Sequence, residues 1–293
     1  MIWEQMNVTY AIKATQVTKK YDDFTALAGV SVEVATGECL AILGPNGAGK
    51  TTLTEILEGY RKRDSGNAEV LGVDPGRATS AWRAKLGIVL QNASDLADLT
   101  VEETVTHFAR YYPNPADPAQ VIAAVGLTDK AGSRNGKLSG GQRRRLDVAL
   151  GIIGNPEVLF LDEPTTGFDP EARREFWGLI ERLKSEGTTI LLTTHYLDEA
   201  QFLADRVAVI ARGQIVAQGE PDSIGNRGEA IVTWSEGKHE MSESTDEPTA
   251  FISRLATRFD SEIPNLSVRR ASLEDAYLEL IAQDRGSVRG DQR

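Results

Sequence analysis

The sequence predicts an α/β fold built on a mostly parallel sheet with helices around it, and three observations predict it. The short runs Pro156 to Leu161 and Thr188 to Thr194 are largely apolar or β-branched and lack polar alternation, as strands buried on both faces do. The run Glu38 to Leu43 ends at a glycine-rich loop, Gly44-Pro45-Asn46-Gly47-Ala48-Gly49-Lys50-Thr51-Thr52, and a helical pattern runs from Gly49 to Leu57. Past about Gly219 the chain changes character, with a strand-like Ala230 to Trp234 and helix-like stretches at Pro248 to Phe259 and Leu273 to Ala282. A main α/β domain followed by a small α+β C-terminal domain is the expectation.

Taken in order, Val30 to Val34 reads as a strand, Gly37 as the turn after it, and Leu86 to Leu90 as a further strand. Between Gln91 and Leu138 strand signals are few, and helix-like stretches at Val101 to Tyr112 and Pro118 to Val125 are split by Pro113-Asn114-Pro115. A helical subdomain inserted at about residues 92–150 follows. Turn formers crowd Pro221 to Gly228, which reads as a linker between a main domain at residues 1–220 and an accessory domain at 221–293. Ser242 to Pro248 is a polar, acidic stretch, and no internal repeat is present.

Composition narrows the classes. At 293 residues the chain exceeds one average domain, and its formal net charge of -11 argues against coating nucleic acid, although a local basic patch stays open. From Pro221 onward fourteen acidic residues face nine basic ones, so the tail is no nucleic-acid-binding arm. Cys39 is the single cysteine, so no intrachain disulfide can form and a reducing cytoplasmic setting is expected. The start, Met1-Ile2-Trp3-Glu4-Gln5-Met6, lacks the marks of a signal peptide, and no run approaches the ~18 apolar residues of a membrane span. If the protein acts at a membrane, a partner supplies the span.

The glycine loop carries the chemistry. Gly44, Gly47 and Gly49 let backbone N-H groups converge on phosphates, and the following helix aims its positive dipole end at them. Lys50 adds a full charge near the β and γ phosphates, and Thr51 offers a hydroxyl to a magnesium ion. The strand Val158 to Leu161 ends in Asp162 and Glu163, carboxylates costly at such a position unless paired or near a cation. Asp162 suits the magnesium shell and Glu163 the orientation or deprotonation of an attacking water; the alternative is that both cap the next loop. His195 stands at the tip of a buried strand, where ends on one edge of a parallel sheet converge, so Gly44, Asp162 and His195 are expected to meet. A second glycine loop, Leu138-Ser139-Gly140-Gly141-Gln142, opens a helical pattern running to Ile153, with Ser139 as N-cap. Arg143, Arg144 and Arg145 follow, either as a solvated face or with a direct role.

In combination, the phosphate loop, the Leu138 to Gln142 loop and the Asp162-Glu163 strand end resemble the ATP-binding cassette (ABC) family over roughly residues 11 to 220. The resemblance implies a P-loop NTPase fold with a RecA-like core, an antiparallel β subdomain and the inserted helical subdomain. It implies ATP and Mg2+ as cofactors, and ATP hydrolysis at the interface of a head-to-tail homodimer. On it, Tyr21 matches the aromatic that stacks on adenine, and Gln91 the glutamine that reaches magnesium and the attacking water. Ser139, Gly140, Gly141 and Gln142 match the signature loop that contacts the γ phosphate held by the opposite subunit, and His195 would donate to that phosphate. Asp169 matches the loop that communicates across the dimer, with Phe168 in place of the common leucine.

The tail Val268 to Leu278 and the run Ser139 to Pro170 are similar to ATPase subunits of bacterial drug-resistance exporters of the daunorubicin type, with Ala271 where a proline is common. That likeness implies a cytoplasmic subunit, peripheral at the inner face of the membrane, paired with a polytopic permease and driving efflux of a drug or lipid. The alternatives are a cassette ATPase acting on DNA or ribosomes, and a nucleotide sensor. Leu138 follows Gln91 by only 47 positions, too few for the long coiled coil of chromosome-maintenance relatives. Ribosome-acting relatives carry two cassettes, and intact Glu163 and His195 weigh against a sensor.

Overall fold

The computed structural model describes residues 9–89, 97–225, 230–237, 239–259, 262–270, 273–275 and 277–278. The chain forms two compact units, Met1–Gln218 and Gly219–Arg293.

The first unit begins with a long antiparallel hairpin of β1 (Tyr10–Tyr21) and β2 (Phe24–Ala35). In β1, Ile12, Ala14 and Val17 turn inward while Lys13, Thr15 and Gln16 face water. The strand β3 (Cys39–Leu43) is buried at every position and leads into α1 (Lys50–Leu57). Next, β4 (Ser65–Val70) returns to the free edge of β1, giving a three-stranded sheet of order β2-β1-β4. A short α2 (Ser80–Arg83) precedes β5 (Leu86–Val89).

Three helices then follow: α3 (Val101–Ala109), α4 (Pro118–Ala124) and α5 (Gly140–Ile152). Among the described residues between β5 and Val158 no named strand interrupts them. Caps set where they start. Thr100 and Glu103 form a reciprocal capping box on α3, and Ser139 and Gln142 form one on α5, each worth roughly 1 kcal/mol.

The chain returns through β6 (Val158–Asp162), α6 (Pro170–Ser185), β7 (Thr189–Thr194), α7 (Leu197–Leu203), β8 (Arg206–Ala211) and β9 (Gln214–Gly219). These complete a six-stranded sheet of order β5-β6-β7-β3-β8-β9, in which β5, β6, β7, β3 and β8 pair in parallel. β3, the first four residues of β6 and the Ile190-Leu191-Leu192 centre of β7 are apolar because both faces of the sheet are covered, and Thr189, Thr193 and Thr194 of β7 are buried with them. One buried cluster, including Ile12, Leu27, Leu53, Ile56, Phe160 and Leu191, joins the two sheets through α1.

In the second unit the central strand β10 (Ala230–Glu236) pairs antiparallel with β11 (His239–Thr245) and β12 (Ser267–Arg270). Val232 and Trp234 pack with Leu255 of α9 (Pro248–Ala256), with Phe251, Ile252, Phe259 and Ile263 around them. Most of the polar stretch Ser242 to Pro248 is strand, since an exposed edge tolerates Glu243 and neighbouring polar residues that blunt further pairing. The expected linker at Pro221 to Gly228 begins as a short helix, α8 (Pro221–Gly225), in which Glu220 O accepts from Ser223 N and Ile224 N. Residues 226–228 lie outside the described residues. So do much of the expected helix Leu273 to Ala282, helical at 273–275 and 277–278, and Gln91.

Candidate active site

Sheet order places β6, β7 and β3 side by side, so Asp162, Thr194 and Leu43 end on one edge. The glycine loop leaves β3 there. Its shape is enforced by neighbours: a Cβ on Gly44 would lie 2.4 Å from Ile210 O, and one on Gly49 would lie 2.5 Å from Ala26 O. Gly47 at φ +79° and Gly49 at φ +106° sit where only glycine rests without strain. Ala48 N donates to Pro45 O and Gly213 N to Ala48 O, closing the loop against the β8–β9 turn. Asn46 and Gly47 are exposed at its tip, and Pro45 and Thr52 are half-buried.

Lys50 is 5 % exposed, so its ammonium must find partners. Nζ donates to Gly44 O at 2.8 Å and Pro45 O at 3.3 Å, and lies 3.3 Å from Glu163 Oε1. Thr51 Oγ1 donates to Asp162 Oδ2 at 3.3 Å, while Thr193 Oγ1 donates to Asp162 Oδ1. One carboxylate is thus steered by two hydroxyls. Glu163 takes a left-handed φ of 45°, and its N-H donates to Thr193 O at 3.0 Å. His195 Nδ1 lies 3.4 Å from Glu163 Oε2, and its ring leans on Tyr196 with centroids 4.1 Å apart. The structure therefore brings Lys50, Thr51, Asp162, Glu163 and His195 together.

Other expected residues stand differently. Tyr21 ends β1 with the Lys19 ammonium 5.6 Å and the Arg61 guanidinium 5.2 Å from its ring centre. Ser139 and Gly140 are exposed, and among the described residues no hydrogen bond or ion pair links Ser139, Gly140 or Gly141 to the Lys50 cluster. Asp169 caps α6, accepting from Glu171 N at 3.0 Å and Ala172 N at 2.8 Å.

Three residues at or near this edge, Thr193, Glu58 and Glu199, are not singled out by the sequence, and Arg144, left open there, takes a definite place. Thr193 orients Asp162, and its position two residues before His195 was the available signal. Glu58, at the end of α1, is 7 % exposed, and burial first, then the charges of Asp162 and Glu55, pushes its carboxyl up to about 7. Glu199 is fully buried behind the His195 loop, its carboxyl raised by burial and drawn back by the Thr194 and Thr165 hydroxyls and the Trp177 indole. Arg144 is also buried, and it donates to the carbonyls of Asp162 and Pro164. The spacing of Val148 and Ile152 would have placed Arg144 on the inner face of α5, whereas Arg143 is exposed.

The arrangement offers a glycine-rich loop opening a helix, one ammonium, a hydroxyl beside a carboxylate, and a second carboxylate one residue on. That set can hold a polyphosphate, seat a hard divalent cation on oxygen donors, and orient a water.

A model of the ABC transporter family matches residues 27–166. The chain is 43% identical to Nod factor export ATP-binding protein I of Burkholderia thailandensis over 71% of its own length and 70% of that protein's. It is 37% identical to daunorubicin resistance ATP-binding protein DrrA2 of Streptomyces coeruleorubidus, over 92% of this chain and 95% of that one. Its fold superposes with a TM-score of 0.63 on the dimeric structure of a bacterial ABC transporter cassette, at 25% identity over 71% of this chain and 98% of the other. The chain therefore belongs to the ABC transporter family, as one of its ATP-binding and ATP-hydrolysing cassettes.

Proposed function

We propose that this cassette powers export of a hydrophobic compound, a drug or lipid, through a separate polytopic membrane subunit, working as a homodimer at the inner face of the membrane. The observation that carries this reading is the likeness to a daunorubicin resistance protein across 92% of the chain, which takes in the C-terminal unit as well as the cassette. Similarity to a Nod factor export protein points the same way. Among the described residues no helix is long and apolar enough to cross a membrane, consistent with a span supplied by another chain.

In this reading ATP lies along the edge formed by β3, β6 and β7, with its adenine on Tyr21 and its phosphates in the loop Gly44 to Thr52. Thr51, Asp162 and Gln91 would hold Mg2+; the hydroxyl and carboxylate are hard oxygen donors of the kind that ion takes. The ion would neutralise charge developing on the phosphates. Lys50, which in this structure contacts Glu163, would turn to the β and γ phosphates, releasing that carboxylate to orient the attacking water. His195 would donate to the γ phosphate. A second copy brings Ser139, Gly140, Gly141 and Gln142 to the same phosphate, with the α5 dipole aimed at it and Asp169 beside the shared interface. Two bound ATP molecules close the dimer and hydrolysis opens it, and the membrane subunit reads that alternation.

Affinity purification of the chain from detergent-solubilised membranes, with mass spectrometry of what accompanies it, tests this. A multi-span membrane protein in about equal amount is the expected result. Recovery from the soluble fraction with ribosomal or DNA-associated proteins, and no membrane protein, would overturn the exporter.

A further inference from the structure

We propose that Arg144 is a positioning residue for Glu163, linking the placement of the signature loop to the carboxylate that acts on ATP in the same chain. The inference rests on the reading of Glu163 given above. Arg144 is 8 % exposed, and a guanidinium so deeply placed needs its donors satisfied. Its Nε donates to Pro164 O at 2.9 Å and its Nη2 to Asp162 O at 2.9 Å. Those two carbonyls flank Glu163 on either side, so one planar fork grips the backbone before and after it.

The grip falls where the backbone needs holding. Glu163 has φ 45°, a conformation costing a non-glycine residue about 1 kcal/mol or more, and such a turn persists only where its surroundings over-determine it. Thr193 holds it from the strand side, through O at 3.0 Å and Oγ1 at 3.2 Å to Glu163 N. Arg144 holds it from the helix side. The guanidinium is in turn steadied by Asp147, whose Oδ2 lies 4.0 Å from Nη1 one turn further along α5, and Glu199 adds to its electrostatic surroundings.

The other end of this lever is the signature loop. Arg144 stands five residues after Ser139, the N-cap of α5, and a helix of 13 residues moves as a rod over so short a stretch. Its neighbours do other things: Arg143 is exposed, and Arg145 pairs with Glu175 at 2.7 Å. When a phosphate draws in the Ser139 end of α5, the fork shifts with it and brings the Glu163 turn to its working position. Each chain would then ready its own base when its signature loop engages the nucleotide of the other.

The test compares full-length wild type, Arg144→Lys and Glu163→Gln for ATP turnover, calorimetric ATP affinity with Mg2+ present, and thermal unfolding. Lysine keeps the charge and the helix, but its single head cannot span both carbonyls. Arg144→Lys is expected to bind ATP within about twofold of wild type, unfold at the same temperature and turn over roughly 10- to 100-fold more slowly, the scale of an ångström-level misplacement. Wild-type turnover in Arg144→Lys beside an inactive Glu163→Gln would overturn this inference and leave the Glu163 reading standing. Full turnover in Glu163→Gln would remove the Glu163 reading itself. Should Arg144→Lys unfold early, the pair Arg144→Met with Asp147→Asn removes both buried charges together. Stability regained without turnover supports the positioning role; turnover regained with stability overturns it.

Discussion

Gly44 and Gly49 are enclosed by their own fold, whereas Gly140 and Gly141 stand almost clear of it. A Cβ on Gly44 would meet Ile210 O at 2.4 Å and one on Gly49 would meet Ala26 O at 2.5 Å, while one on Gly140 would meet nothing within 4 Å and one on Gly141 only Ala172 Cβ at 3.7 Å. Gly44 and Gly49 of the phosphate loop are therefore needed by the chain's own packing. Those of the signature loop are not, and close approach by something from outside the chain gives them a reason. The same division holds for polar groups: Lys50, Thr51, Asp162 and Glu163 contact one another within the chain, whereas the Ser139 and Gln142 side chains cap their own helix. One half of the proposed reaction centre is built by folding, and in the proposed homodimer the other is presented to the second copy.

Four substitutions would break or sharpen that contrast. Gly49→Ala, forced into φ +106° against Ala26 O, is expected to lose about 3 kcal/mol or more of stability in chemical denaturation; a loss under about 1 kcal/mol would mean the phosphate loop is not fixed by packing. Lys50→Ala should lower ATP affinity by about 100-fold or more while the chain stays folded, and normal binding in calorimetry would contradict the placement of phosphate.

Glu58 probes what the enclosed half costs. Its carboxyl is raised from 4.5 to about 7, so the folded state favours its protonated form. Its contribution is fully favourable below pH 4.5 and is lost as pH rises through about 7. Glu58→Gln is therefore expected to stabilise the chain by up to ~3 kcal/mol at pH 8, with the gain vanishing at or below pH 4.5. A gain independent of pH would point to a cause other than charge burial. Gly140→Ala has the smallest expected effect on the fold, within about 0.5 kcal/mol, because the site is open and begins a helix. Its ATP turnover should nevertheless fall, about tenfold or more; an unchanged rate would show that nothing approaches Gly140 closely.

The contrast also explains what could be read in the sequence. The apolar strands β3 and β6 and the loop between β3 and α1 were legible because burial on both faces and a phosphate cradle each demand one residue type at each position. β1 and β4 are hard to read as strands in the sequence, since the exposed Lys13, Thr15, Gln16 and Asn67 interrupt the apolar pattern. Asp162 and Glu163 were legible by chemistry, being carboxylates at the end of an apolar strand. Arg144 was hidden in a run of three arginines that composition cannot resolve, and only the face of α5 separates it from Arg143. Thr193 looked like one more β-branched strand residue until its hydroxyl met Asp162.

The central claim is that a second copy completes the site, and the mass of the ATP-bound protein tests it most directly. Light scattering on Glu163→Gln with and without ATP should show the mass double when ATP binds. Adding Gly140→Glu, an exposed change that sets a negative charge against the partner's phosphates, should keep the double variant at single-chain mass with ATP still bound. A Glu163→Gln protein that binds ATP and stays at single-chain mass, or a double variant that dimerises just as well, would contradict the account.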